Sequence, residues 1–126
     1  MEKLTAAGLI AEAAAEVEMV SVADCMPLVE SPQVVFVDVR EAAETANGMI
    51  PGAVHCSRSF LEFQLCTDSP MHNPVFASGR EFIFVCASST RAILATSLAR
   101  RFGLRAKCMM GGMNAWYAAG GPISKQ

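Results

Sequence analysis

The chain holds five cysteines in 126 residues, yet no two of them form a CxxC pair. Cys25, Cys56, Cys66, Cys86 and Cys108 are odd in number and widely spaced. That argues against a zinc site and against a thioredoxin-type redox pair. Scattered thiols suit a reducing compartment, and most of them should be small buried hydrophobes. No unbroken apolar stretch is long enough for a membrane span. The alanine-rich opening, Met1 to Val20, is interrupted by Glu2, Glu12, Glu16 and Glu18 and lacks the basic start of a secretory signal. A cytoplasmic location is therefore expected. The net charge is −2. That leaves no basic field for nucleic acid and no polybasic patch for an anionic membrane. A charged pocket needs only a few residues and stays open. No repeat, low-complexity stretch or linker divides the chain, and its length suits one domain with a real core. The expected organisation is a helical extension over residues 1–20, packed on a domain of residues 21–126.

Thr5 to Glu16 has helix-forming composition, and a short extended piece should follow at Met19 and Val20. Ser21, with Asp24 three residues on, marks the start of a helix reaching about Glu30, where Ser31-Pro32 ends it. Val34-Val35-Phe36-Val37 and Phe82-Ile83-Phe84-Val85 are short β-branched and aromatic runs of the kind found in buried parallel strands. Glu41 to Ala46 reads as a short helix, and Asn47-Gly48 and Pro51-Gly52 as turns before a strand at Ala53 to His55. Ser59 to Leu65 reads as one or two helical turns, and Thr67 to Gly79 as an excursion loop. Ala92 to Phe102 is amphipathic, with Ile93, Leu94, Ser97, Leu98 and Arg101 at helical spacing and Gly103 as its stop. Leu104 to Met109 is a strand, and Gly111-Gly112 opens a last helix holding Trp116. Strands alternate with helices throughout. That order predicts an α/β fold with a mostly parallel sheet covered by helices on both faces.

In such folds ligands bind beyond the carboxyl ends of the strands. Two strands end in chemically useful residues. The first runs into Asp38-Val39-Arg40. The second runs into Cys86, then Ala87-Ser88-Ser89-Thr90-Arg91 and a helix. A tight loop entering a helix turns backbone N–H groups towards one point, and those groups with the helix dipole favour an anion there. A cysteine at the loop's start is thereby suited to act as a sulfur nucleophile. The small side chains let the backbone close around the anion. Arg91 adds a positive charge at the rim for an anionic substrate. The competing reading is a structural cysteine that ends a buried strand.

Four segments, in register, resemble the rhodanese family. They are Val35 to Glu41, Gly48-Met49-Ile50-Pro51-Gly52-Ala53, the loop Cys86 to Arg91, and Gly111-Gly112-Met113-Asn114-Ala115-Trp116 with Gly120-Gly121-Pro122. The resemblance runs from about Ser21 to Ile123. It implies a rhodanese-like α/β fold with a five-stranded, mostly parallel sheet. It implies a sulfurtransferase that needs no cofactor and no metal. Cys86 is the catalytic residue, taking the outer sulfur of a small anionic donor such as thiosulfate and holding it as a persulfide. Cyanide or a thiol then accepts the sulfur, and a protein can serve as donor or acceptor. Ala87, Ser88, Ser89, Thr90 and Arg91 form the active-site loop that binds the substrate. Phosphatases and arsenate reductases of similar fold have a longer loop between cysteine and arginine. The four residues here suit a single sulfur atom better than a tetrahedral oxyanion. Many family members carry glycine where this chain has Ser89, so strain is expected at that position.

Asp38, Arg40 and Arg58 are the supporting candidates. A structural ion pair with Glu41, Glu44 or a neighbour competes with a direct role for Asp38 and Arg40, and a plain surface charge competes for Arg58. His55 is expected to be structural and His72 exposed. Cys66 could resolve the persulfide, with a core or loop thiol as the default. Residues 58–75 form either a lid or partner surface, or a tolerated insertion. Met109, Met110 and Met113 are expected in the core. Two other functions compete with the enzyme: a sulfur-relay carrier loaded by a protein, and a non-catalytic binding or regulatory module.

Overall fold

The computed structural model describes residues 3–125. Its centre is a five-stranded sheet in which every pairing is parallel. The strands are β1 (Met19–Val20), β2 (Val34–Asp38), β3 (Val54–His55), β4 (Glu81–Val85) and β5 (Arg105–Met109), in the order β1-β5-β4-β2-β3. The helices are α1 (Ala6–Ala14), α2 (Val22–Cys25), α3 (Ala42–Thr45), α4 (Leu61–Leu65), α5 (Thr90–Arg101) and α6 (Gly112–Ala118).

The apolar runs become the central strands because both faces of this sheet are covered. Successive side chains alternate between faces. Val35, Val37, Phe82, Phe84, Ala106 and Cys108 enter one apolar cluster with α1, α4 and α5. Phe36, Ile83, Val85 and Met109 enter the other, with Trp116 of α6 and Cys25 of α2. Cys86 continues the alternation and falls on the α5 side. Trp116 has no exposed surface. Its ring lies 6.4 Å from that of Phe36, and its indole N–H donates to the Pro122 carbonyl at 2.8 Å. Hence it anchors the last helix to the sheet.

Several expectations change in detail. The helix begun at Ser21 is α-helical only to Cys25 and tightens into a 3-10 turn over Met26–Leu28, where Pro27 lacks an amide to donate. The buried stripe of α5 is Ala92, Ile93, Ala95, Thr96 and Ala99, while Leu94, Ser97 and Leu98 are half-buried and Arg101 is exposed. Small residues let α5 lie close on the sheet, and the Thr96 hydroxyl donates to the Ala92 carbonyl at 2.7 Å. Met110 is exposed, unlike Met109 and Met113.

The excursion after β3 is tied to the body. Leu61, Leu65 and Phe76 are buried. His72 is half-buried rather than exposed, and its Nδ1 sits 3.0 Å from the Gln64 carbonyl. Phe60, Phe63 and Met71 remain outside. No helix among the described residues is long and apolar enough to cross a membrane.

Candidate active site

Cys86 directly follows β4, at the carboxyl edge of the sheet, and its residue is completely covered. The Ala92 amide in the first turn of α5 donates to its Sγ at 3.3 Å. The amides of Ala87, Ser88, Ser89, Thr90 and Arg91 find no acceptor among the described residues. They are therefore available to an anion held in the loop.

The loop carbonyls are tied down on the far side. Met113 N–H donates to the Cys86 carbonyl at 2.8 Å, and Asn114 N–H to the Ala87 carbonyl at 3.0 Å. The start of α6 thus fixes the peptide planes of the loop, a role that sequence reasoning missed. The Gly111-Gly112 pair is the signal that could have revealed it. Gly112 has φ +57°, and a Cβ there would overlap the Ser88 and Cys86 carbonyl oxygens. Only glycine lets the helix come this close.

Ser89 is not strained. Its φ is −146°, and no described residue other than glycine has positive φ. Its hydroxyl oxygen instead accepts a hydrogen bond from the Gly111 amide at 2.9 Å, adding a third tie between loop and α6. Thr90 begins α5, and Ser88 and Thr90 are exposed on the outer side of the loop.

Arg91 does not present a free charge. Its two terminal nitrogens bind the two oxygens of Glu44 at 2.7 and 2.9 Å. This pairing holds the Glu44 carboxyl down to about 2 and raises Arg91 further. Glu44 also accepts from the Glu41 amide at 3.0 Å, within the capping box of α3. Sequence reasoning named Glu44 only as a neighbour for Asp38 and Arg40. Its spacing from Glu41 marks the cap, but nothing local marks Arg91 as its partner.

Asp38 and Arg40 form a buried ion pair, 2.8 Å apart at Arg40 Nη2. Arg40 also donates to the Gly48 carbonyl at 2.8 Å. The pair joins the end of β2 to the turn before β3 and makes no polar contact with the Cys86 loop among the described residues. His55 Nε2 lies 2.8 Å from the Arg40 carbonyl, which braces the same corner. Arg58 pairs with Glu62 at 2.8 Å and lines a groove with Leu9, Glu12, Ser97 and Arg101, between α1 and α5.

The remaining thiols lie outside the loop. Cys25, Cys56 and Cys108 are buried; burial pushes the first two up to about 11 and Cys108 up to about 12. Cys66 is half-buried at the end of α4.

Residues 21–119 match the family model of the rhodanese-like domain. YtwF of Bacillus subtilis, a protein named provisionally as a sulfurtransferase, is 29% identical over 80% of this chain and 91% of its own length. A Rhodopseudomonas palustris protein of unknown function, named provisionally as a tyrosine phosphatase, has a structure that superposes with a TM-score of 0.93 at 35% identity, covering 98% of this chain and 97% of that one. A rhodanese-like domain protein from Staphylococcus aureus superposes with a TM-score of 0.72 at 25% identity, over 87% of this chain and 99% of its own.

Proposed function

This chain belongs to the rhodanese-like domain family, and on that footing we propose that it is a sulfurtransferase that carries sulfane sulfur as a persulfide on Cys86. The observation that carries the proposal is the loop itself. Cys86 Sγ receives the Ala92 amide, and the preceding amides of Ala87 to Arg91 are unpaired in the same turn. Such a turn is built for one anionic atom.

In the proposed cycle the Cys86 sulfur attacks the outer sulfur of a donor. A new S–S bond forms on Cys86, and the bond between the donor's two sulfurs breaks. The electron pair of that bond leaves with the donor's inner sulfur. The loop amides stabilise the terminal sulfur of the persulfide. A thiophilic acceptor then attacks that terminal sulfur and returns Cys86 to its starting state. The Arg91–Glu44 pair ties the start of α5 to α3, and Asp38 with Arg40 braces the corner between β2 and the turn before β3, rather than touching the reacting atoms.

A phosphatase is the second reading, because the Rhodopseudomonas protein carries that provisional description. Here the four residues between Cys86 and Arg91 make a small cradle, and the Arg91 guanidinium is occupied by Glu44. Both features disfavour a tetrahedral oxyanion.

Thiocyanate formation from cyanide and a sulfane-sulfur donor tests the choice, with wild type beside Cys86→Ser. Turnover by the wild type that is lost in the variant is expected. Equal turnover by both proteins, or Cys86-dependent hydrolysis of p-nitrophenyl phosphate without sulfur transfer, would overturn the proposal.

A further inference from the structure

We propose that a groove at the amino edge of the sheet, rimmed by Arg80 and Arg105, docks an acidic protein segment: an apolar side chain flanked by carboxylates. The arginines of this chain divide by place. On the segments that leave the carboxyl ends of the strands, Arg40, Arg58 and Arg91 are each held by a carboxylate. At the opposite end, Arg80, Arg100, Arg101 and Arg105 form no ion pair with any described residue. Arg100 and Arg101 line grooves that also carry acids, Glu18 and Glu81 for the first, Glu12 and Glu16 for the second. Arg80 and Arg105 rim a groove that carries none. On the other side of Arg105, Glu18 and Glu81 are both bound by Lys107, at 3.3 and 3.2 Å.

The groove lies between the 3-10 turn Pro74–Ala77 and the turn from α5 to β5. Phe76 and Phe82, whose rings are 5.5 Å apart, line it with Leu104. Phe102 lines it too and stays exposed. An exposed aromatic beside unpaired arginines is the composition of a protein-binding hot spot. The volume is about 280 Å³, below the roughly 300–1,000 Å³ of pockets that enclose a small molecule. It therefore suits side chains of a segment laid across it. Arg80 Nε donates to the Ser78 hydroxyl at 3.2 Å, and Arg105 Nη2 donates to the Gly79 carbonyl. Both guanidinium groups are thus tied to adjacent residues of one turn, with other N–H donors left over. Two like charges held on one turn repel each other, and a carboxylate bound between them relieves that repulsion. β4 runs five residues from this edge to Cys86, roughly 17 Å, so an occupant here leaves the Cys86 loop open.

Titration of the full chain with a short synthetic peptide, followed by amide NMR, tests the proposal. The probe has one phenylalanine between glutamates and blocked ends. Control peptides carry lysines for the glutamates, or alanine for the phenylalanine. The glutamate peptide should shift the amides of Gly79, Arg80, Phe102, Gly103 and Arg105 and leave those of Ala87 to Arg91 in place. Arg80→Gln with Arg105→Gln should weaken binding about tenfold, as loss of two half-exposed ion pairs implies, and Phe102→Ala should weaken it separately. Arg100→Gln should change it less than about twofold, and added salt should weaken the wild type. No shift at the groove up to millimolar peptide, equal shifts from the lysine peptide, or full binding by the double variant would overturn the proposal. Shifts there that grow with protein concentration alone would overturn it in favour of a second copy of this chain. Shifts caused by phosphatidylglycerol vesicles and not by the peptide would overturn it in favour of a lipid surface.

Discussion

Arg91 and Glu44 are 47 residues apart in sequence and joined by two hydrogen bonds. The pair couples the helix after β2 to the helix that carries the Cys86 loop. Both side chains are about one-third exposed (35% and 34%), so the coupling is partly screened. The Glu44 carboxyl is held down to about 2, first by its hydrogen bonds to Arg91. A folded-state value below the unfolded one means the stabilisation is complete above the ordinary glutamate range. It is lost as the pH falls from about 4.5 towards about 2. Solvent screening limits it to roughly 1 kcal/mol. Carboxyl NMR titration should find Glu44 well below the other exposed glutamates, and Arg91→Ala should return it to the ordinary range.

Gly112→Ala should cost about 1–3 kcal/mol from the left-handed backbone alone, and more from the overlap with the loop carbonyls. Urea unfolding measures it. Sulfur loading of Cys86 should fall with it, because α6 can no longer hold the Cys86 and Ala87 carbonyls. A neutral result would mean that α6 does not shape the loop.

Arg40→Met leaves Asp38 as a buried charge without its partner. Breaking such a pair costs about 3–5 kcal/mol. Removing both, in Asp38→Ala with Arg40→Met, should recover part of that loss, since no lone charge remains. A double variant less stable than Arg40→Met alone would contradict this account of the pair.

The cysteines should label in a fixed order. Cys66 is half-buried and should react with a bulky maleimide in the native protein. Cys86 is covered and should react only with small reagents. Cys25, Cys56 and Cys108 are buried and pushed up to about 11, 11 and 12, so they should label only after unfolding. Time-resolved alkylation followed by peptide mapping reads the order.

Much of this was legible in the sequence, for physical reasons that also mark where legibility stops. β2 and β4 were readable because a strand covered on both faces must be apolar at every position. The Ser21 cap was readable because it is local, and its hydroxyl does accept the Asp24 amide at 3.1 Å. The face of α5 was legible only in part: Ile93, Leu94 and Leu98 do pack on the core, but large residues stand out in a sequence, and the closely packed Ala92, Ala95 and Ala99 do not. Ser89 was expected to strain the loop, because comparison with glycine says nothing of the Gly111 amide waiting for its hydroxyl. Arg91 was expected both to fix the loop and to attract the donor; its carboxylate partner was not legible, because Glu44 lies on another helix and no spacing rule connects them.

The central claim is that Cys86 carries sulfur. Reduced protein is incubated with cysteine persulfide or with thiosulfate, desalted, and its intact mass taken without reductant, beside Cys86→Ser. The account predicts a one-sulfur mass gain in the wild type with at least one of the two donors, absent in the variant and discharged by cyanide. A wild type with a free Cys86 thiol that gains no sulfur from either donor, or a Cys86→Ser variant that gains as much, would contradict it.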